Sequence, residues 1–317
     1  MTTIPESIRR RLGEDTTSRR IHLEERLRRR KAFQGLGPYA LERFFSVNAV
    51  ISAAVTACGL REAGLRNILD LRIEEHEVTI SGLPKAFEGF RLLQLADLHC
   101  DLDDRIMNRI TEAMATVPHD AVVLTGDYHT KVHRPFDRSL AAMRRLIPLL
   151  HPKRFAILGN HDFLAKVAPL EEAGLPFLLN EALPLEHHGS RLWICGIDDP
   201  HFFRTHDLAR ARSVVPSNEP TILLSHSPET YREAATMGYS LMLSGHTHGG
   251  QMCLPGGFPV YRNAPGCRRE HLAGSWREGT MLGYTSRGSG TAGVAARFHC
   301  PPEITVHILK TPPSFPS

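Results

Sequence analysis

From residue 72 onward the chain alternates between short apolar runs and polar clusters. The runs are RLLQLADLH (91–99), AVVLTGDYH (121–129), RFAILGNHD (154–162), RLWICGIDD (191–199), TILLSHSP (221–228) and LMLSGHTH (241–248). Unbroken apolar stretches of this length suit strands buried on both faces. DRIMNRITEAMATV (104–117) and RSLAAMRRLIPLL (138–150) lie between the early runs and carry helical spacing. The alternation predicts an α/β sheet sandwich. GTMLGYTSRG and PEITVHILK add later strands, and LEHHGS reads as a hairpin turn with His187 and His188 in solvent. The tail PPSFPS reads as loose.

The first 71 residues follow another pattern. Residues 1–35 are polar and arginine-rich, and SRRIHLEERLRRRKAF is able to form a basic helix. That predicts a solvated arm, with a membrane-surface or partner-binding arm as the alternative. FFSVNAVISAAVTACGL (44–60) is uncharged, but its seventeen residues include Ser, Asn and Thr. A bilayer span needs about 20 apolar residues, and the segment begins too late for a standard signal peptide. A buried helix and a helix in the membrane interface both remain open. The expected division is a helical arm over 1–71 and a catalytic domain over 72–317.

Charge sharpens this division. Residues 1–31 carry +5 of the formal +4, so the remainder is −1. A near-neutral body weakens the argument for a nucleic-acid-binding face, and no nucleic-acid partner is expected. The six cysteines are scattered without a CxxC, which argues against a disulfide framework and a structural zinc site and fits a reducing compartment. No GxxxxGK[ST] stretch occurs, which excludes a P-loop nucleotide enzyme.

The chemistry-bearing residues follow the strands. Asp97 and His99 follow the first run, Asp127 the second, Asn160, His161 and Asp162 the third, His226 the fifth, and His246 and His248 the sixth. Open α/β sheets build sites beyond the carboxyl ends of their strands. Carboxylate, amide and imidazole would thus reach one rim from distant parts of the chain. This donor mixture suits a transition metal such as Mn, Fe or Zn. Asp97, His99, Asp127, Asn160, His226, His246 and His248 are too many for one ion. A shared carboxylate gives two sets of four, the arrangement of a two-metal phosphate-ester hydrolase.

DLH, GD, GNHD, a lone His and GHTH, in that order, resemble the five blocks of the calcineurin-like metallophosphoesterases. The resemblance covers roughly residues 72–310. GHTHGGQ, SRGSGT and RFHCPPEITV further resemble the bacterial membrane-associated branch, which includes phosphodiesterase-like proteins and an enzyme cleaving the pyrophosphate of UDP-2,3-diacylglucosamine. The resemblance implies a four-layer αββα sandwich with an N-terminal helical extension. It implies two divalent ions, Mn²⁺ foremost, with Fe or Zn as alternatives. Asp97, His99 and His248 would hold the first ion, Asn160, His226 and His246 the second, and Asp127 would bridge. A bridging hydroxide would attack phosphorus. His161 would face the scissile phosphate, with Asp162 or a nearby acid orienting it, and Arg287 would contact substrate phosphate.

One departure concerns the stretch after the bridging aspartate, where the family commonly has a second Asp two residues on. Tyr128 and His129 stand in this stretch, and His129 either orients a ligand or faces solvent. Gly126, Gly159 and Gly245 each precede a ligand, as tight turns off strand ends require. His201 and His206 read as surface-loop residues, with a loop near the site as the alternative, and Asp198 and Asp199 as acids that shape that loop or bind a cap. The function implied is hydrolysis of a phosphorylated small-molecule or lipid substrate, foremost UDP-2,3-diacylglucosamine of the lipid A pathway. It would take place in the cytoplasm at the inner face of the plasma membrane, with residues 1–60 on that surface. A general or cyclic-nucleotide phosphodiesterase in the cytosol and an inactive scaffold of the same fold are the alternatives.

Overall fold

The structure is a computed structural model and describes residues 4–30, 40–130 and 135–313. Five strands form one sheet: β1 (Arg72–Thr79), β2 (Arg91–Leu95), β3 (Ala121–Leu124), β4 (Arg154–Ala156) and the last strand, β13 (Glu303–Lys310), in the order β1-β13-β2-β3-β4. Six form a second sheet: β5 (Glu181–His187), β6 (Ser190–Gly196), β7 (Thr221–Leu224), β8 (Leu241–Ser244), β11 (Gly274–Glu278) and β12 (Met281–Thr285), in the order β11-β12-β8-β7-β6-β5. A short hairpin, β9 (Cys253–Leu254) and β10 (Phe258–Pro259), stands apart.

The central strands of each sheet are buried on both faces, as the unbroken apolar runs require. Leu92, Val123, Ile157, Ile194, Ile222, Leu224 and Leu243 meet between the sheets. The alternate residues Leu93, Leu95, Val122 and Leu124 face outward onto α5 (Asp104–Thr116), α6 (Asp137–Leu146) and α7 (Val167–Glu171). On the far side, Cys195, Leu223 and Met242 pack against α8 (Leu208–Arg212) and α9 (Tyr231–Thr236). Period-2 side-chain alternation thus builds three cores and four layers. α5 shows the matching helical pattern: Asp103 caps it by accepting from the Arg105 N–H, and Ile106, Ile110 and Met114 are buried. Gln94 ties the sheets together, donating to the Ser244 carbonyl at 3.0 Å while its Oε1 meets His307 Nε2 at 2.9 Å.

β2, β3 and β4 are mutually parallel, as are β6, β7, β8 and β12. Their carboxyl ends therefore open on one rim, where every candidate ligand lies. The strands are shorter than the apolar runs, and the polar end of each run is loop.

The N terminus differs from a solvated arm. α1 (Glu6–Leu12) and α2 (Glu14–Arg30) lie against the body, with Ile4, Ile8 and Leu12 in the same core as α5 and α6. Arg11 is anchored by Glu171, Glu181 and the Phe177 carbonyl. Arg20 and Glu24 are buried. An apolar stripe four residues apart explains the docking, and internal carboxylates absorb part of the basic charge. Residues 1–3 and 31–35 of the expected arm lie outside the described residues. α3 (Ala40–Ala57) and α4 (Arg61–Leu69) follow. From residue 49 on, α3 is mostly exposed, with Val50 68% accessible and Val55 buried, so this part is not a core helix. Among the described residues, no helix is long and apolar enough to cross a membrane.

Candidate metal centre

The rim brings all seven expected ligands together. Asp127, just past β3, has its Oδ2 3.3 Å from His226 Nε2, 3.8 Å from His99 Nε2 and 3.9 Å from His161 Nε2. His226 Nε2 also lies 2.9 Å from the Asn160 side-chain oxygen. His99 Nε2 and His248 Nε2 are 3.2 Å apart, and His248 Nε2 is 3.9 Å from Asp97 Oδ1. Ligand atoms of Asp97, His99 and His248 form one grouping within 4.8 Å, those of Asp127, His226 and His246 a second, and those of His99, Asp127 and His161 a third. The first two share the seam between the sheets.

The local backbone is built for this convergence. Asp97, His99, Asp127, His246 and His248 all have φ between 42° and 67°. Left-handed conformations at non-glycine residues cost on the order of 1–3 kcal/mol each and persist where the surroundings impose them. Parallel pairing continues past the strands and holds the loops together: the Asp97 N–H donates to the Gly126 carbonyl, and the His99 N–H to the Asp127 carbonyl. The His246 N–H donates to both Asp97 carboxylate oxygens at 3.0 Å.

Ring orientations suit ligation. His99 Nδ1 sits 3.1 Å from the His129 carbonyl, and His226 Nδ1 2.8 Å from the Thr125 carbonyl. A carbonyl only accepts, so each Nδ1 carries a proton and each Nε2 points inward. Burial pushes His99 down to about 4 and holds His246 and His248 well below the usual range. Burial raises the Asp97 carboxyl to about 7, with Asp127 adding to the rise. Burial opposes the charged forms of Asp127 and His226, but their mutual attraction outweighs it. Asp127 stays well below the ordinary range, and His226 rises to about 10. The neutral imidazoles of His99, His246 and His248 and the crowded buried carboxylates form a set that positive ions would satisfy, and an ion there would take the place of the Nε2 proton that His226 sets against Asp127. The donors fit two divalent cations.

Several expected roles change. His161 is half-buried, and its Nδ1 donates to the Thr130 carbonyl at 2.6 Å. Asp162 does not orient that ring. Its carboxylate is fully buried and accepts from the main-chain N–H groups of Asp127, Tyr128 and Gly159 and from Lys166 Nζ at 2.8 Å. Asp162 therefore holds the bridging-aspartate loop, because three unpaired amides point at it. Arg287 is held by Glu74 and Glu303 and is not a free phosphate contact. His129 is buried, its ring 3.3 Å from Asp101, and its carbonyl is the one that orients His99.

His201 is no plain surface residue. Its ring centre is 4.1 Å from that of His246, and its Nδ1 is 2.7 Å from Glu229. Asp199 shapes this loop by accepting from the amides of His201, Phe202 and Phe203. His187 packs on Phe87 and Phe90, while His188 is exposed at the turn.

Sequence reasoning passed over two buried arginines. Arg297 is fully buried, donates to the carbonyls of Arg287 and Gly290, and brings Nη2 to 3.2 Å from His248 Nδ1. It lies in the RFHC stretch. Arg20 Nη2 donates to the Asp162 carbonyl at 2.7 Å, and Glu24 accepts from the Leu164 N–H at 2.9 Å. The i, i+4 spacing of Arg20 and Glu24 was the available signal.

Comparison with known proteins agrees with this geometry. The family model described as calcineurin-like phosphoesterase matches residues 90–250. The phosphodiesterase YaeI of Escherichia coli is 31% identical over 236 residues, covering 68% of this chain and 81% of its own length. An uncharacterized metallophosphoesterase of Bacillus subtilis, YkoQ, is 28% identical over 252 residues, covering 76% and 92%. The UDP-2,3-diacylglucosamine pyrophosphatase LpxG of Chlamydia trachomatis is 26% identical over 288 residues, covering 70% and 85%.

Proposed function

The chain belongs to the calcineurin-like phosphoesterase family and is a phosphoester hydrolase, and from that premise we propose that it cleaves a lipid-linked nucleotide, foremost the pyrophosphate of UDP-2,3-diacylglucosamine. The reading assigns residues 72–317 to catalysis and 1–71 to a helical extension. It places the protein in the cytoplasm, at the inner face of the membrane. The similarity to a pyrophosphatase of that substrate supports it.

The observation that carries the hydrolytic reading is the position of Asp127 Oδ2, within 3.9 Å of three imidazoles from three different loops. Asp97, His99, His248 and Asp127 would hold one ion, and Asn160, His226, His246 and Asp127 the other, with Mn²⁺ the favoured metal. Bound there, two divalent ions neutralise phosphoryl oxygens and acidify water for attack on phosphorus. His161 keeps its Nδ1 proton on Thr130 and presents Nε2 toward the centre, placed to protonate the departing oxygen. Asp162 and Lys166 fix the loop that carries Asp127.

Incubating the protein and Mn²⁺ with UDP-2,3-diacylglucosamine should release UMP; absence of UMP removes this substrate. The similarity to a phosphodiesterase favours a second reading, a general or cyclic-nucleotide phosphodiesterase. Turnover of cyclic nucleotides in the same assay without UMP release would select it.

A further inference from the structure

The β9–β10 hairpin projects apolar side chains into solvent beside the metal centre. Leu254 is 60% accessible, Phe258 51%, Val260 65% and Tyr261 47%. Two prolines and two adjacent glycines shape this tip, LPGGFPVY. Monomeric surfaces seldom gather such side chains without a partner. From Ala234 to Arg269 the chain has no acidic residue, and it exposes Arg262, Arg268 and Arg269, of which Arg268 pairs with the exposed Glu270 at 3.3 Å. The Arg269 guanidinium lies 3.6 Å from the centre of the Phe258 ring. Aromatic and aliphatic tips flanked by Arg262 and Arg269 match the boundary of an anionic bilayer, where the apolar part enters and the cations meet phosphate.

The hairpin is joined to the metal centre at both ends. It begins just after His248, and on its return Asn263 Nδ2 donates to the His246 carbonyl at 2.6 Å. A cleft of about 460 Å³ runs from Gly249, next to His248, to Gly257 at the hairpin turn. A second exposed apolar element flanks the same strip. The Cys253 N–H donates to the Phe298 carbonyl on one side of segment 296–298. On the other side α4 meets that segment through Gly64 against Ala296 and Asn67 against the Arg297 carbonyl. α3, with Val50 and the following Leu60 exposed, leads into α4.

We infer that the β9–β10 hairpin is a bilayer-docking element that seats the rim of the metal centre on an anionic membrane surface. The inference deepens the lipid-substrate reading, because docking there brings the mouth of the site to molecules held in the bilayer. It moves the principal membrane contact away from the basic N-terminal helices, whose buried residues are committed to the body.

The test uses the full chain and vesicles of phosphatidylcholine, with and without phosphatidylglycerol. The parent protein should sediment with the anionic vesicles and release at high salt. A double variant, Leu254→Asp with Phe258→Asp, should bind about tenfold more weakly or worse. Both proteins should hydrolyse soluble bis-p-nitrophenyl phosphate equally, which shows that the variant is folded. Equal vesicle binding by the two proteins, or none by the parent, overturns the inference. So does a parent dimer that the double variant breaks, since the hairpin would then be a contact between copies. Loss of UMP release with intact vesicle binding would remove the substrate and leave the docking element standing.

Discussion

Arg20, on the second helix of the N-terminal extension, donates from Nη2 to the main-chain carbonyl of Asp162, the residue after His161. The guanidinium is wholly buried, stacks 3.3 Å from the Phe203 ring centre, and lies near Glu24 and Asp198. Arg20→Met would leave two buried carboxylates without their cation, which costs about 3–5 kcal/mol. Denaturant unfolding should show this loss. Where the variant remains folded, kcat should fall by about 10–100-fold as the His161 loop shifts, with KM less affected. Arg20→Lys keeps the charge but loses the planar fork, and should fall between the two. An unchanged kcat in folded Arg20→Met would show that the extension only stabilises.

His161 offers a sharper test, because its Nε2 belongs to one of the three ligand groupings. If it donates a proton to the leaving oxygen, His161→Ala should keep both metals. Turnover should drop by about 10²–10⁴-fold with an alkoxide leaving group. The loss should be much smaller with p-nitrophenolate, which departs without protonation. Metal analysis showing one ion fewer in His161→Ala would make it a ligand instead.

Glu24 predicts a pH dependence of stability. One guanidinium serves two buried carboxylates, and burial pushes Glu24 up to about 7, against the attraction of Arg20. The folded state thus holds a proton that the unfolded chain releases near 4.5. The associated stability is complete below that value and declines as pH rises to about 7, by about 1–3 kcal/mol. Glu24→Gln cannot titrate, so the stability difference between parent and variant should change across this window. A constant difference from pH 4 to 8 would place the charge elsewhere.

The layers and the gathering of the candidate residues on one rim were legible because both rest on short-range pattern. Apolar runs reveal doubly buried strands, and His, Asp and Asn at their carboxyl ends reveal a rim. Partners contributed by the main chain were not legible. The Thr130 carbonyl orients His161, and the amides around Gly159 capture Asp162, yet neither leaves a residue-type signature. Arg287 read as a phosphate contact because Glu74, its partner 213 positions away, is invisible until β1 pairs with β13. The docked helices read as a solvated arm because their arginine count hid the stripe of Ile4, Ile8 and Leu12.

The glycines before the ligands repeat this lesson and supply the last prediction. Gly126 has φ +96° and fits the tight turn expected of it, but Gly159 does not have a left-handed φ. Its requirement is space: a Cβ there would lie 2.1 Å from Asp127 Oδ1 and 2.6 Å from the Asp127 nitrogen. Asp127 Oδ1 also accepts the His161 N–H at 2.9 Å, so the carboxylate has no room to retreat without releasing that loop. Gly159→Ala should therefore mimic Asp127→Ala, losing bound metal and activity together, although it removes no ligand. A misplacement of about 1 Å at such a site is enough to cost about 10²-fold in rate. Metal stoichiometry at matched fold stability, judged by circular dichroism, is the measurement. Full metal content and turnover in Gly159→Ala would show that the Asp127 carboxylate is not locked where the backbone puts it.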